Sequence, residues 1–207
     1  SEGMGVVTTI SESAVDDNGR ALDRITVHSA SIRDKPAQKE VPFSVGTDAD
    51  LATYLAILET DMGQIKINFY PDHAPNHVRN FLRLASAEIF DGMAFHRVVK
   101  GFVVQTGYLP TRREPLTEFQ KSLVQTIEPE FNSTNHVRGI VSMARSDNLA
   151  SASTSFFICT DICDELDGLY TVFGVVVSGL DVVDSIESTP TSGETPESRI
   201  ELRKVRI

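Results

Sequence analysis

From residue 54 onward the chain is cut into eight short runs rich in β-branched and aromatic side chains, each ended by a glycine or a polar turn. The runs cover 54–60, 64–70, 94–99, 102–106, 139–144, 155–160, 171–177 and 199–207. The first two are joined by the short turn Asp61-Met62-Gly63. Helix signals are few. Pro75 opens one, and Val78, Phe81, Leu82 and Ala85 follow at the spacing of a single buried helical face. A second short helix is expected over 179–186. Many short strands, glycine turns and two helices predict a mainly β fold, a closed antiparallel barrel capped by helices. With 41% hydrophobic residues and eleven Phe, the chain can fill such a core.

Residues 110–126 interrupt this rhythm with a charged stretch that reads as an insertion on a surface loop, with a short helix from Leu116. The two ends of the chain resemble each other. Gly3, Val6, Val7 and Ile10 align with Gly179, Val182, Val183 and Ile186, and Arg24, Ile25, Val27 and Ile32 align with Arg199, Ile200, Leu202 and Ile207. Both segments read as helix, polar loop and alternating strand, the mark of a duplicated unit. Residues 1–34 are therefore expected to be the tail of a preceding copy of the same domain. Residues 35–50 read as a Pro-containing polar linker, and 51–207 as the complete domain.

Chemistry concentrates at 95–107, FHRVVKGFVVQTG, which sets Arg97 beside the apolar pair Phe102 and Val103 and the neutral polar Gln105. A permanent cation against an apolar wall can hold an apolar group while donating hydrogen bonds to a neighbouring carbonyl. On this run, together with GIVSMAR at 139–145, SFFICT at 155–160 and LDGLYTVFG at 166–174, the chain resembles the cyclophilins, the peptidyl-prolyl cis/trans isomerases, and bacterial members in particular. The four blocks stand in the family's order, and the resemblance covers nearly all of 54–207.

The resemblance implies a closed eight-stranded antiparallel β-barrel with two α-helices and an isomerase that turns Xaa-Pro bonds, assisting protein folding. It implies Arg97 as the catalytic residue. Phe102, Val103, Phe157, Leu166 and Tyr170 match the walls of the proline pocket, and Gln105 matches the residue that binds substrate backbone and steadies the arginine. Ala144 and Arg145 match the stretch whose backbone meets the residues before the proline. Val103 stands where Met is usual, Tyr170 where many members have His, Ser155 where Gln is found, and Thr106 and Tyr108 where Gly and Asp are usual. Glu165 occupies the place of a Trp that helps bind cyclosporin, so weak cyclosporin binding is expected. The alternative reading is a proline-peptide binding or scaffold module with little turnover; intact Arg97 and Gln105 favour the enzyme.

Other chemistries are poorly supported. A net charge of −10 argues against a nucleic-acid partner. Cys159 and Cys163 do not form a CxxC pair and are expected to be buried free thiols. His73 and His77 have the spacing of a metal pair, but Pro75 lies between them, and exposed helix-start histidines are the preferred reading. His96 reads as a structural hydrogen-bonding residue. No metal, nucleotide or covalent intermediate is required by the chemistry, and no cofactor is expected. No apolar run has the length of a membrane span. The sequence opens at Ser1 without an initiator Met, which leaves an upstream leader open; the cytoplasm is the favoured compartment and export (periplasmic) the alternative.

Overall fold

The computed structural model describes residues 4–29, 41–44 and 46–207. The chain divides into two compact units, Ser1–Gln38 and Lys39–Ile207. In the first unit, helix α1 (Met4–Ser11) is followed by a turn closed by an antiparallel bridge between Val15 and Ala21. The Asp16 carboxylate braces that turn by accepting from the Asn18 and Arg20 N–H groups. No strand forms over 24–29, where an alternating strand is expected, and the rest of that segment lies outside the described residues. A strand needs a partner edge to satisfy its backbone groups, and Ile25 and Val27 are exposed.

The second unit begins earlier than the sequence suggests. Within the segment read as a linker, Thr47 and Asp50 form a reciprocal capping box on the short helix α2 (Asp48–Leu51). Leu51 is buried and Phe43 packs on the core, while Arg79 donates to the Phe43 and Gly46 carbonyls.

Strands β1 (Leu55–Thr60), β2 (Gly63–Phe69), β3 (Met93–Phe95), β4 (Arg97–Val99), β5 (Val103–Thr106), β6 (Ile140–Met143), β7 (Phe156–Cys159), β8 (Val172–Ser178) and β11 (Ile200–Arg206) form one antiparallel sheet. Its order is β3-β11-β1-β2-β8-β6-β7-β5-β4. The two ends of this order, β3 and β4, are one stretch of chain broken only at His96. The sheet therefore closes on itself, and the nine assigned strands act as the eight staves of a barrel. The break is bridged by the Thr106 hydroxyl, which donates to the Ala94 carbonyl, and by the His96 N–H, which donates to the Gln105 carbonyl. The hairpin β9 (Thr191–Ser192) and β10 (Thr195–Pro196) stands outside this sheet.

Helix α3 (Pro75–Ser86) brings Phe81 into the interior. There its ring meets Phe69, Phe90, Phe156 and Phe173 at centroid distances of 5.4, 5.0, 5.3 and 5.7 Å. The sequence offers no side-chain cap before Pro75. The cap comes from Glu130 instead, whose carboxylate accepts from the Asn76 and His77 N–H groups and sits at the positive end of the helix. Its Oε2 also meets His77 Nδ1 at 2.7 Å. His77 is accordingly buried, not exposed as the sequence suggests, while His73 lies against Thr134. Among the described residues no cluster of three or more metal-ligating side chains occurs.

Helix α5 (Leu180–Glu187) adds Val182, Val183 and Ile186 to the same core. In the charged stretch at 110–126, Thr117 caps helix α4 (Glu118–Leu123), Leu123 is buried and Gln120 donates to the Ala87 carbonyl. These contacts hold the stretch against the core while most of its residues stay at the surface. Among the described residues no helix is long and apolar enough to cross a membrane.

Two glycines separate backbone strain from steric contact. Gly179, with φ +91°, lies so close to β2 that a Cβ would fall 2.2 Å from the Gln64 carbonyl oxygen, which is backbone and cannot yield. Gly168, with φ +68°, has nothing within 4 Å of that position. Urea unfolding is expected to show a loss of about 1 kcal/mol for Gly168→Ala and about 3 kcal/mol or more for Gly179→Ala. Equal losses would mean that the approach of α5 to β2 is not a fixed constraint.

Candidate active site

The site grows out of strand alternation. Across β4, β5 and β7 the register pairs Arg97 with Gln105 and Gln105 with Phe157, and pairs Val99 with Val103 and Val103 with Cys159. Successive side chains on a strand point to opposite faces. Val98, Val104, Phe156 and Ile158 therefore enter the barrel core. Val103, Phe157 and Cys159 belong to a second, separate apolar cluster on the outer face, with Ile140, Cys163, Leu166 and Val172. Arg97 and Gln105 stand beside that cluster on the same face.

A cavity of about 350 Å³ opens there, lined by Arg97, Phe102, Val103, Gln105, Ala144, Arg145, Phe157, Leu166 and Tyr170. All nine residues singled out from the sequence thus meet in one place. Phe102 is held by its N–H to the Val99 carbonyl and by the Thr160 N–H and Cys163 Sγ on its own carbonyl. The Phe157 ring meets Tyr170 edge-on at 5.7 Å and stacks on His136 at 6.2 Å. Arg145 lies with its guanidinium carbon 4.5 Å above the Tyr170 ring, and donates to the Leu169 and Ser146 carbonyls. Leu166 and the exposed Glu165 share a short 3₁₀ turn, Asp164–Leu166. A smaller polar hollow adjoins, lined by Gln105, Ala144, Arg145 and a run of hydroxyl residues that includes Ser155.

Arg97 differs from expectation in one respect. Gln105 faces it across the register, yet the hydrogen bonds on its guanidinium go to Glu194. Arg97 Nε donates to Glu194 Oε2 at 2.6 Å and Nη2 to Oε1 at 3.2 Å. The hydrogen bond from Arg97 holds the Glu194 carboxyl below its ordinary range. No sequence motif points to Glu194, which lies 97 residues from Arg97 along the chain. His96 lies tilted against Tyr108 with ring centroids 5.1 Å apart, and burial pushes its pKa down. Both cysteines are free and buried, and burial pushes their thiols up, away from nucleophilic or ligand chemistry.

An arrangement at the back of the cavity resembles a nucleophilic triad. His136 Nδ1 meets Asp167 Oδ1 at 2.8 Å and its Nε2 lies 3.1 Å from Ser142 Oγ. The Ser142 hydroxyl, however, donates to the Thr171 carbonyl, and both Ser142 and His136 are fully buried. The set braces Phe157 from behind and offers no nucleophile to a ligand.

The family model for the cyclophilin type peptidyl-prolyl cis-trans isomerases matches residues 55–207. A probable peptidyl-prolyl cis-trans isomerase of Brucella abortus is 40% identical over 138 residues, covering 63% of this chain and 70% of the relative. The peptidyl-prolyl cis-trans isomerase-like 3 protein of Gallus gallus is 36% identical over 155 residues, covering 72% and 93%. Among solved structures, a cyclophilin from Hirschia baltica superposes with a TM-score of 0.62 at 26% identity, over 73% of each chain. A Cryptosporidium parvum cyclophilin, crystallised in the presence of the dipeptide Ala-Pro, superposes with a TM-score of 0.66 at 23% identity, over 74% of this chain and 98% of that one. The fold, the ordered motifs and the matched length agree: this chain belongs to the cyclophilin family of peptidyl-prolyl cis-trans isomerases.

Proposed function

We propose that the cavity binds a prolyl ring and that Arg97 accelerates rotation about the Xaa-Pro bond of a polypeptide, with the other eight lining residues holding the substrate. The observation that carries this reading is the union of an apolar floor with the Arg97 guanidinium at its edge. An amide resists rotation by about 18–20 kcal/mol because the nitrogen lone pair is delocalised into the carbonyl. The cis and trans forms at proline differ by only about 0.5–1 kcal/mol, so no bond need be broken. A catalyst has to bind the twisted amide better than either planar form.

Phe102, Val103, Phe157 and Leu166 supply a rigid apolar slot for the ring, and Tyr170 and Arg145 close one side of it. With the ring fixed, the residue before the proline rotates. The Arg97 guanidinium donates to its carbonyl oxygen and directs an N–H toward the prolyl nitrogen, favouring the single-bonded, pyramidal nitrogen of the twisted state. A field set up in advance in a half-dry groove needs little reorganisation during the turn. Exchange spectroscopy on an Ala-Pro or Phe-Pro peptide is expected to show catalysis by the wild type and a loss of about 10²–10³-fold in kcat/KM for Arg97→Ala. An inactive wild type, or turnover unchanged by the substitution, overturns this assignment.

Cyclosporin is expected to bind weakly, because the exposed Glu165 carboxylate stands at the rim where an apolar face would have to cover the inhibitor. Glu165→Trp is expected to tighten inhibition by about tenfold or more while leaving peptide turnover nearly unchanged. Low-nanomolar inhibition of the wild type would falsify the expectation.

Residues 1–34 fit the tail of a preceding copy of the same domain. In support, Val6, Val7 and Ile10 are exposed while their counterparts Val182, Val183 and Ile186 are core residues; Val27 is 78% exposed against 0% for Leu202. The segment thus carries the apolar pattern of a closing tail, with no buried apolar side chain among its described residues. A chain starting at Lys39 is expected to keep the unfolding midpoint and the Arg97-dependent turnover of the full chain, measured by thermal denaturation and peptide exchange. A lowered midpoint would assign the segment to this domain's own fold.

A further inference from the structure

Glu194 lies outside every motif that carries the family resemblance, yet it makes the closest contact to the guanidinium assigned to catalysis. We propose that Glu194 is a positioning residue for Arg97, fixing one edge of the guanidinium so that the opposite edge faces the prolyl amide. The proposal rests on the isomerase reading above and adds the group that orients its cation.

The geometry is specific. Nε and Nη2 form the lateral edge of the guanidinium, and both donate to the two oxygens of one carboxylate in the parallel, forked arrangement that favours a single orientation. Nη1 and the second N–H of Nη2 form the remaining edge, which is left for a carbonyl oxygen and a prolyl nitrogen. The backbone that carries this carboxylate is itself anchored. The Val98 N–H donates to the Glu194 carbonyl at 2.7 Å, tying the β9–β10 hairpin to the residue next to Arg97. The hairpin is pinned by the pairing of Ser192 with Thr195 and by the Glu197 N–H on the Pro190 carbonyl. Glu194 therefore reaches Arg97 from a fixed place and not from a swinging loop.

Two effects oppose each other. A carboxylate beside the cation weakens the field felt by the substrate, and it also removes the rotamer freedom of a long side chain that has to find one arrangement. The Glu194 side chain is 56% exposed, so water screens the first effect. The second is not screened, because an arginine on a strand has many rotamers and one productive pose. Orientation wins, and the carboxylate aids turnover.

Glu194→Ala is expected to lower kcat by about 5–10-fold, the weight of restoring that rotamer freedom, with KM changed less than about twofold. Glu194→Gln, which keeps one acceptor, is expected to fall between. In an Arg97→Lys background, where no fork can form, Glu194→Ala is expected to have no further effect. The Arg97 Nε–H resonance is expected to exchange slowly with water in the wild type and to be lost to fast exchange in Glu194→Ala. The hairpin survives these changes because it is held by backbone hydrogen bonds. A rise in turnover with Glu194→Ala overturns the proposal and makes the carboxylate a competitor for Arg97. An equal loss in the Arg97→Lys background overturns it in favour of a merely structural role. A wild type without turnover defeats the isomerase reading, and the Nε–H resonance still decides whether Glu194 holds the guanidinium.

Discussion

The two-residue period of β4, β5 and β7 is the constraint from which the site follows. Even-numbered residues there, Val98, Val104, Phe156 and Ile158, fill the barrel, and odd-numbered ones, Arg97, Val103, Gln105 and Phe157, look outward. A slip of one residue in the hairpin would bury Arg97 and expose valines, so the core enforces the register of the cavity. The hairpin turn adds its own lock, since the Phe102 N–H on the Val99 carbonyl closes it in step with the Val99–Val103 pair. Cavity geometry and barrel stability are thus one specification read from two faces.

An outward-facing apolar cluster is a liability in water unless something covers it. Here the chain over 160–170 covers part of it, bringing Cys163, Leu166 and Tyr170 over Val103, Phe157 and Cys159. What remains uncovered is the cavity. The floor is stiff because Phe157 is held on one side by Tyr170 and on the other by His136, and His136 is fixed in turn by Asp167 and Ser142. The Asp167 carboxyl is held below its ordinary range by hydrogen bonds from the His136 N–H and ring. Groups that would suggest hydrolytic chemistry elsewhere serve here to keep an aromatic wall from moving.

Much of this was legible in the sequence, for a definite reason. Strand alternation and ordered motifs are local, and the nine lining residues fall within such stretches, so their convergence needed only the barrel to close. The contacts that escaped are those in which one partner has no local signature. Glu130 caps α3 from 53 or more positions away along the chain, in place of the Ser or Asp that the helix start lacks. Glu194 looks like one more surface acid until the hairpin that carries it is tied to Val98. The Thr47–Asp50 capping box is local and readable, yet the polar, Pro-containing run around it reads as linker; the packing of Phe43, the Arg79 hydrogen bonds and the burial of Leu51 show otherwise. The break of one strand at His96 likewise has no sequence mark. It follows from closure, because a single stretch must pair with β11 on one side and β5 on the other.

Two arginines line the cavity, and their surroundings separate their tasks. Every nitrogen of the Arg145 guanidinium has a backbone carbonyl as partner, Leu169 for Nε and Nη2 and Ser146 for Nη1, and its face lies on Tyr170. Such a side chain is a wall: its donors satisfy the protein, and moving it would expose those carbonyls. Among the described residues Arg97 is held along one edge only, by a partner that shares its exposure to water. On the proposed isomerase role, a cation that follows an oxygen through a half-turn needs that combination of a fixed edge and an open one. A guanidinium held on both edges could not meet the substrate, and one held on neither would meet it in too many ways.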